Sequence, residues 1–300
     1  MRAFDRVLVG VDGHEGGRAA IALARQLVPA PERLVLGHIY RGLLGLVGGL
    51  SGDDERTRAT DLMVREREES MCRPAAIVVQ RGTPAAGLKD LAEHEGATLL
   101  VLGSSHRSPI GRVLIGDNTV AVLNGARWSV AIAPRGYRAR GRRLQTIGVG
   151  HDGSAESELA LQAARLLARR HHAVVRLLSV VPLQSVSDQQ ATPLDWTEET
   201  QRVVDQEHDR IAAINDVEGE VRYGDPAEEL ASFGNQVDLL VVGSRGFGSL
   251  GRLLNGSTAT YLARHATCPL LVLPGPLLAS GPVAPAEPSR RRFAREGRAS

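Results

Sequence analysis

The chain has 300 residues, 43% of them hydrophobic, 3% aromatic and 23% charged, with a formal net charge of +2. That length predicts about two domains, with cores built from Val, Leu, Ile and Ala in place of aromatic rings. The charge is local: between Glu287 and Arg298, five arginines face two glutamates, and the rest of the chain is near neutral. A nucleic-acid surface needs a concentrated basic field on the fold itself, and none is evident.

Taken in chain order, the first half alternates short apolar runs with longer segments of helical spacing. Residues 6–11, 34–39, 77–79, 99–102 and 130–133 read as buried strands, and 17–28 and 54–71 as helices. Between them, residues 42–50 are too few to span a bilayer and too glycine-rich for a stable helix, so they read as a loop. Lys89 is the sole lysine and lies in Gly87-Leu88-Lys89-Asp90, which is no Walker A loop. Any nucleotide is therefore held without a P-loop lysine. The Gly- and Arg-rich stretch 135–143 reads as a linker, with 137–143 separating a first domain, 1–136, from a second, 144–276.

The second half repeats the first. Val9-Gly10-Val11-Asp12-Gly13-His14 returns as Val149-Gly150-His151-Asp152-Gly153-Ser154, an offset of 140. At the same offset, Leu99-Leu100-Val101-Leu102-Gly103-Ser104 returns as Leu239-Leu240-Val241-Val242-Gly243-Ser244. From Leu99 to Pro134, 11 of 36 positions are identical without a gap, which chance does not sustain across a domain. Arg81-Gly82-Thr83-Pro84-Ala85 likewise matches Tyr223-Gly224-Asp225-Pro226-Ala227. Strands are expected at 145–150, 173–181, 219–222, 238–242 and 270–273, and helices at 155–169, 196–214 and 227–235. The implied fold is α/β: two tandem doubly wound domains, each a five-stranded parallel sheet with helices on both faces. Residues 277–300 have a Pro/Arg-rich composition that cannot bury a core.

The chemistry concentrates after the fourth strand of the second half. Gly243-Ser244-Arg245-Gly246 is followed nine residues later by Gly256-Ser257-Thr258 at the start of a helix. Glycines let backbone approach an anion, successive N–H groups make a nest, and the helix N-terminus adds donors and a positive dipole. Ser257 and Thr258 supply hydroxyl donors. Asp152 stands on the same sheet edge, where it could accept from an adenine amine or a ribose hydroxyl, or serve as a turn or helix cap.

The pattern G-x2-G-x9-G-S after Asp238-Leu239-Leu240-Val241-Val242-Gly243, together with the Asp152-Gly153-Ser154 turn, resembles the universal stress protein family. The closing His265-Ala266-Thr267-Cys268-Pro269-Leu270-Leu271-Val272-Leu273 is similar to that family's last strand. The resemblance covers nearly all of residues 4–274, twice over. It implies an ATP-binding branch, with Asp152 and the backbone near Val180 at the adenosine end and Gly243, Arg245, Gly246, Gly256, Ser257 and Thr258 on the phosphates, with or without Mg²⁺. It also implies that 130–133 and 270–273 pair antiparallel, so that the halves mimic a dimer. A nucleotide-responsive role in stress endurance or growth follows, with an unidentified protein partner and further homodimerisation.

The first half departs from that pattern. Its weaker counterparts are Asp12, Ile39, Gly103 and Gly116, but His106 stands at the second glycine and Asp117 at the serine after Gly116. A non-glycine in a left-handed backbone costs roughly 1–2 kcal/mol. A carboxylate about 4 Å from a phosphate charge opposes it by about 4 kcal/mol at an effective dielectric of ~20. Arg107 and Arg112 offset part of this, and a Mg²⁺-assisted role for Asp117 is the alternative. The first half is expected to bind ATP weakly or not at all.

Other features read as structural. Trp128 and Cys268 occupy matching positions and are expected in the core. His151 is expected to be satisfied or exposed, and His171-His172 to sit at a helix end that favours cations. Ser104, Ser105, Ser154 and Ser244 lack a nucleophile elbow, and no general base can be assigned. The expectation is a protein that is not an enzyme; slow ATP hydrolysis or adenylation, and a nucleotide-free scaffold, are the rival readings. Two widely separated cysteines and no signal-peptide pattern predict the cytoplasm and argue against membrane insertion.

Overall fold

The computed structural model describes residues 4–41, 52–104, 127–138, 143–182, 193–244 and 257–274. The first half contains β1 (Val7–Gly10), α1 (Glu15–Leu27), β2 (Leu34–Tyr40), α2 (Gly52–Glu69), β3 (Ala76–Arg81), α3 (Pro84–His94), β4 (Leu99–Gly103) and β5 (Ser129–Ala133). The second contains β6 (Thr146–Gly150), α4 (Ala155–His171), β7 (Val174–Pro182), α5 (Pro193–Ala212), β8 (Glu218–Gly224), α6 (Pro226–Phe233), β9 (Leu239–Gly243), α7 (Ser257–His265) and β10 (Leu270–Leu273). The expected strands and helices are present, with ends displaced by at most three residues. Residues 42–50 and 277–300 and part of the linker lie outside the described residues.

All the strands join one sheet in the order β3-β2-β1-β4-β5-β10-β9-β6-β7-β8. Each half is parallel throughout. The join is antiparallel: Leu270 pairs Ile132, Leu271 pairs Ala131 and Val272 pairs Val130, the pairing expected from the sequence. Side chains alternate across the pleat. Val7, Val9, Ile147 and Val149 pack beneath α1 and α4 on one face, while Leu8, Leu100, Leu240 and Leu270 pack beneath α3, α6 and α7 on the other. Both cores run across the join, so the halves share their hydrophobic interior. Trp128 and Cys268 are buried in the second core, as expected.

Local chemistry sets the helix starts. Ser154 caps α4 by accepting from the Ser157 amide at 3.2 Å. Asp225 caps α6 by accepting from Ala227 N at 2.8 Å and Glu228 N at 3.1 Å, with Pro226 at the position where a missing N–H is harmless. α1 places Ala20, Leu23, Ala24 and Leu27 on one buried stripe.

His171 departs from the expectation of a cation at a helix end. It is buried, and its Nε2 lies 2.8 Å from the Gln26 carbonyl oxygen of the other half. Arg170 alongside donates to the Val28 carbonyl, so the end of α4 satisfies carbonyls at the end of α1. Burial holds the imidazole below its ordinary range, outweighing the help of the Gln26 carbonyl, and Arg170 and Arg143 push the same way. A histidine kept neutral by the fold takes up its proton first in the unfolded chain as pH falls through about 6.5. Stability should therefore decline below that pH. Urea midpoints at pH 7.5 and 5.5 should differ less in His171→Gln than in wild type; equal differences would remove His171 from this account.

Candidate functional site

At the carboxyl ends of β6, β7 and β9 the sheet opens into a narrow cleft with a cavity volume of about 40 Å³. β6 contributes Gly150 and the following His151 and Asp152; β7 contributes Leu178 and Val180; β9 contributes Val242, Gly243 and the following Ser244. Ser157 of α4, Pro226 and Leu230 of α6, and Thr258 and Ala259 of α7 complete the wall. The strand order reverses where β6 lies between β9 and β7, the place where open α/β sheets hold ligands.

The cleft brings together four of the residues singled out from sequence: Asp152, Val180, Gly243 and Thr258. α7 begins at Ser257, so its first-turn amides are at the wall that Thr258 lines. Arg245, Gly246 and Gly256 lie outside the described residues, as does the Ser257 side chain; in the first half the same holds for His106, Arg107, Arg112, Gly116 and Asp117. Asp12, Ile39 and Gly103 stand at the ends of β1, β2 and β4, the topological equivalents of the second-half positions. Sequence reasoning missed Leu178, Pro226, Leu230 and Val242. They are apolar residues that no local pattern distinguishes from core.

Asp152 holds the turn, one of the structural roles expected for it, and does not cap α4; Ser154 does. Asp152 Oδ1 accepts from the Ser154 amide at 3.0 Å and its hydroxyl at 2.5 Å, which fixes the turn, and Asp12 likewise accepts from the His14 amide at 3.0 Å. These bonds engage Oδ1 only. Gly243 has a packing reason to be glycine besides any ligand. A Cβ there would lie 2.7 Å from Glu156 Cβ and 2.9 Å from its carbonyl carbon. In the first half a Cβ on Gly103 would lie 1.9 Å from the Gly16 carbonyl oxygen. The repeated glycine lets the first helix of each half cross closely over the fourth strand.

Among the described residues, the polar groups nearby do not form a nucleophilic centre. Burial pushes the Cys268 thiol up to about 12 and also raises Cys72, so neither is poised as a thiolate. The Ser157 hydroxyl donates to Ser154 O at 2.8 Å, a local helix-start bond. His151 is neither exposed nor catalytic in aspect: it is buried, with Arg210 Nη1 3.0 Å from its Nδ1. Among the described residues, no group of three or more His, Cys, Asp or Glu could hold a metal ion. Also among them, no helix is long and apolar enough to cross a membrane.

Comparison with known proteins gives a consistent picture. The model of the universal stress protein family matches residues 3–134 and again 143–274. A universal stress protein of Mycobacterium tuberculosis is 27% identical over 201 residues, 64% of this chain and 69% of the relative. A universal stress protein structure from Archaeoglobus fulgidus aligns with a TM-score of 0.62 at 17% identity, covering 90% of this chain and 98% of that one. A putative universal stress protein structure from Pseudomonas aeruginosa aligns at 0.63 and 17%, covering 91% and 94%. At such identity the structural likeness is one of fold.

The glycine contacts carry a test. Gly243→Ala should lower stability by roughly 1–3 kcal/mol, the usual cost of overpacking. Gly103→Ala, facing the shorter approach, should lower it more. Urea unfolding measures both, and an unaltered midpoint in Gly103→Ala would contradict the close-crossing account.

Proposed function

The chain belongs to the universal stress protein family, and from that premise we propose that it is an ATP-binding regulator whose nucleotide is held in the second half. One observation carries the reading. A single cleft gathers Asp152, Val180, Gly243 and Thr258, residues 106 positions apart in sequence, at the strand ends where this topology holds ligands. Its interior is mainly apolar, with Leu178, Val180, Leu230 and Val242 suited to the faces of a base, and a few polar groups at the edge. The free carboxylate oxygen of Asp152 would accept from the adenine amine or a ribose hydroxyl. The amides and hydroxyl at the start of α7, with Arg245, Gly246 and Gly256, would meet the phosphates.

No metal is needed to build that cleft. Mg²⁺ usually takes substrate phosphates and waters with one or two carboxylates, so here it would arrive with the triphosphate. In this proposal the protein does not act as an enzyme: among the described residues, nothing in the cleft is disposed as nucleophile or base. ATP works as a ligand that binds one conformation better than another and so shifts which partner the protein meets, in the cytoplasm, in stress endurance or growth control. The first half serves as an internal partner with the weaker site of Asp12, Ile39, Gly103 and Gly116, and whole chains associate further as dimers.

The experiment is nucleotide release from protein purified in wild-type, Thr258→Glu and Gly246→Asp forms, by denaturation and chromatography. A glutamate in the first turn of α7 favours the helix but repels phosphate. Wild type should release adenine nucleotide in near-stoichiometric amount and both variants much less, with thermal midpoints kept in Thr258→Glu. Equal release from all three would refute the second-half site.

A further inference from the structure

Beneath the Asp152–Ser154 turn the second half carries a polar cluster, which includes His151 of the cleft wall, where the first half has an apolar support. Gly13 and Gly153 hold the same left-handed backbone, with φ of 78° and 80°. A Cβ on Gly13 would meet Leu62 Cδ1 of α2 at 2.9 Å, but one on Gly153 would meet Arg210 Nη1 of α5 at 3.3 Å. The guanidinium of Arg210 thus lies against the turn that presents Asp152.

Arg210 is fixed on two sides. Its Nε donates to Glu207 Oε2 at 2.8 Å and its Nη2 to Glu207 Oε1, a fork-to-fork pair, and Ser179 of β7 donates to the same carboxylate. Its Nη1 donates to His151 Nδ1 at 3.0 Å. An arginine can only donate, so His151 Nδ1 is the acceptor and the ring proton sits on Nε2. That nitrogen is buried, without a hydrogen-bond partner among the described residues, and 3.6 Å from Glu158 Oε2 of α4.

We propose that Arg210 is a positioning residue for the base-binding end of the cleft, and that protonation of His151 displaces it and weakens ligand discrimination. The inference rests on the reading of the cleft as an adenine-nucleotide site. A proton on His151 Nδ1 would occupy the place where Arg210 donates, and set two cations together under the turn. The groups facing the imidazole are Arg210 and Glu207 from α5, Glu158 from α4 and Asp152 from its own strand end. Burial and Arg210 hold it below its ordinary range, against the opposing pull of Glu158 and Asp152, so it is neutral near pH 7.

Calorimetric titration with ATP, GTP and inorganic tripolyphosphate tests this in wild type, Arg210→Leu, Arg210→Lys and His151→Val. The substitutions to Leu and Val place the types of support found in the first half. Arg210→Leu should weaken ATP binding about tenfold, lower the ATP-to-GTP affinity ratio and leave tripolyphosphate unchanged, with Arg210→Lys recovering part of the ratio. The wild-type ratio should fall as pH is lowered from 7.5 to the acid limit of the folded state, and the His151→Val ratio should not; using a ratio cancels protonation of the triphosphate. A folded Arg210→Leu with the wild-type ratio, or one losing tripolyphosphate equally, overturns the proposal. If that variant does not fold, a pH-independent ratio in wild type does so. Wild type binding ATP with none of these effects removes this inference alone, while wild type binding no nucleotide removes the proposed function as well.

Discussion

Three residue pairs between β5 and β10 hold the molecule in its present form. Each strand would otherwise be the edge of a five-stranded sheet, a row of unpaired donors and acceptors open to other chains. Pairing them antiparallel closes both edges within one chain and lets both hydrophobic cores run through. The geometry has a functional consequence. Strands are parallel within each half and antiparallel across the join, so the carboxyl ends of the two halves point to opposite edges of the sheet. A ligand at one edge is remote from the other, and each site could diverge without disturbing its counterpart.

Divergence is visible at matched places. In the first half Arg18 of α1 forms a two-point pair with Glu66 of α2, at 3.0 and 3.1 Å, and Glu66 is buried. At the offset of 140 the second half has Glu158 in place of Arg18, and its arginine, Arg210, comes from the second helix. There Arg210 pairs with Glu207 of its own helix. The glycine ending the fourth strand is common to both halves because both need the helix crossing; the residues under the first turn differ because only packing, not topology, constrains them.

The fold was legible because buried parallel strands read as continuous apolar runs, and because two copies of one pattern confirm each other. Gly243 and Thr258 were legible as parts of a motif, Asp152 from its place on the sheet edge, and Val180 only through the family resemblance. Leu178, Leu230 and Val242 were not, since lining a cleft and filling a core demand the same side chains. The pairing of His151 with Arg210 was not legible because 59 residues separate them and neither has a periodic signature. Gly243 was found for one reason and turned out to have a second, the closeness of Glu156, which no local sequence pattern reveals.

In the proposed function the second half alone presents a nucleotide cleft of full strength, with the base near β6 and β7. Photolabelling with 8-azido-ATP, followed by digestion and peptide mapping, addresses it most directly. The label is expected on second-half peptides from the ends of β6 and β7 and the start of α6, suppressed by excess ATP. Label distributed equally over the corresponding first-half peptides, or insensitive to ATP, would contradict it.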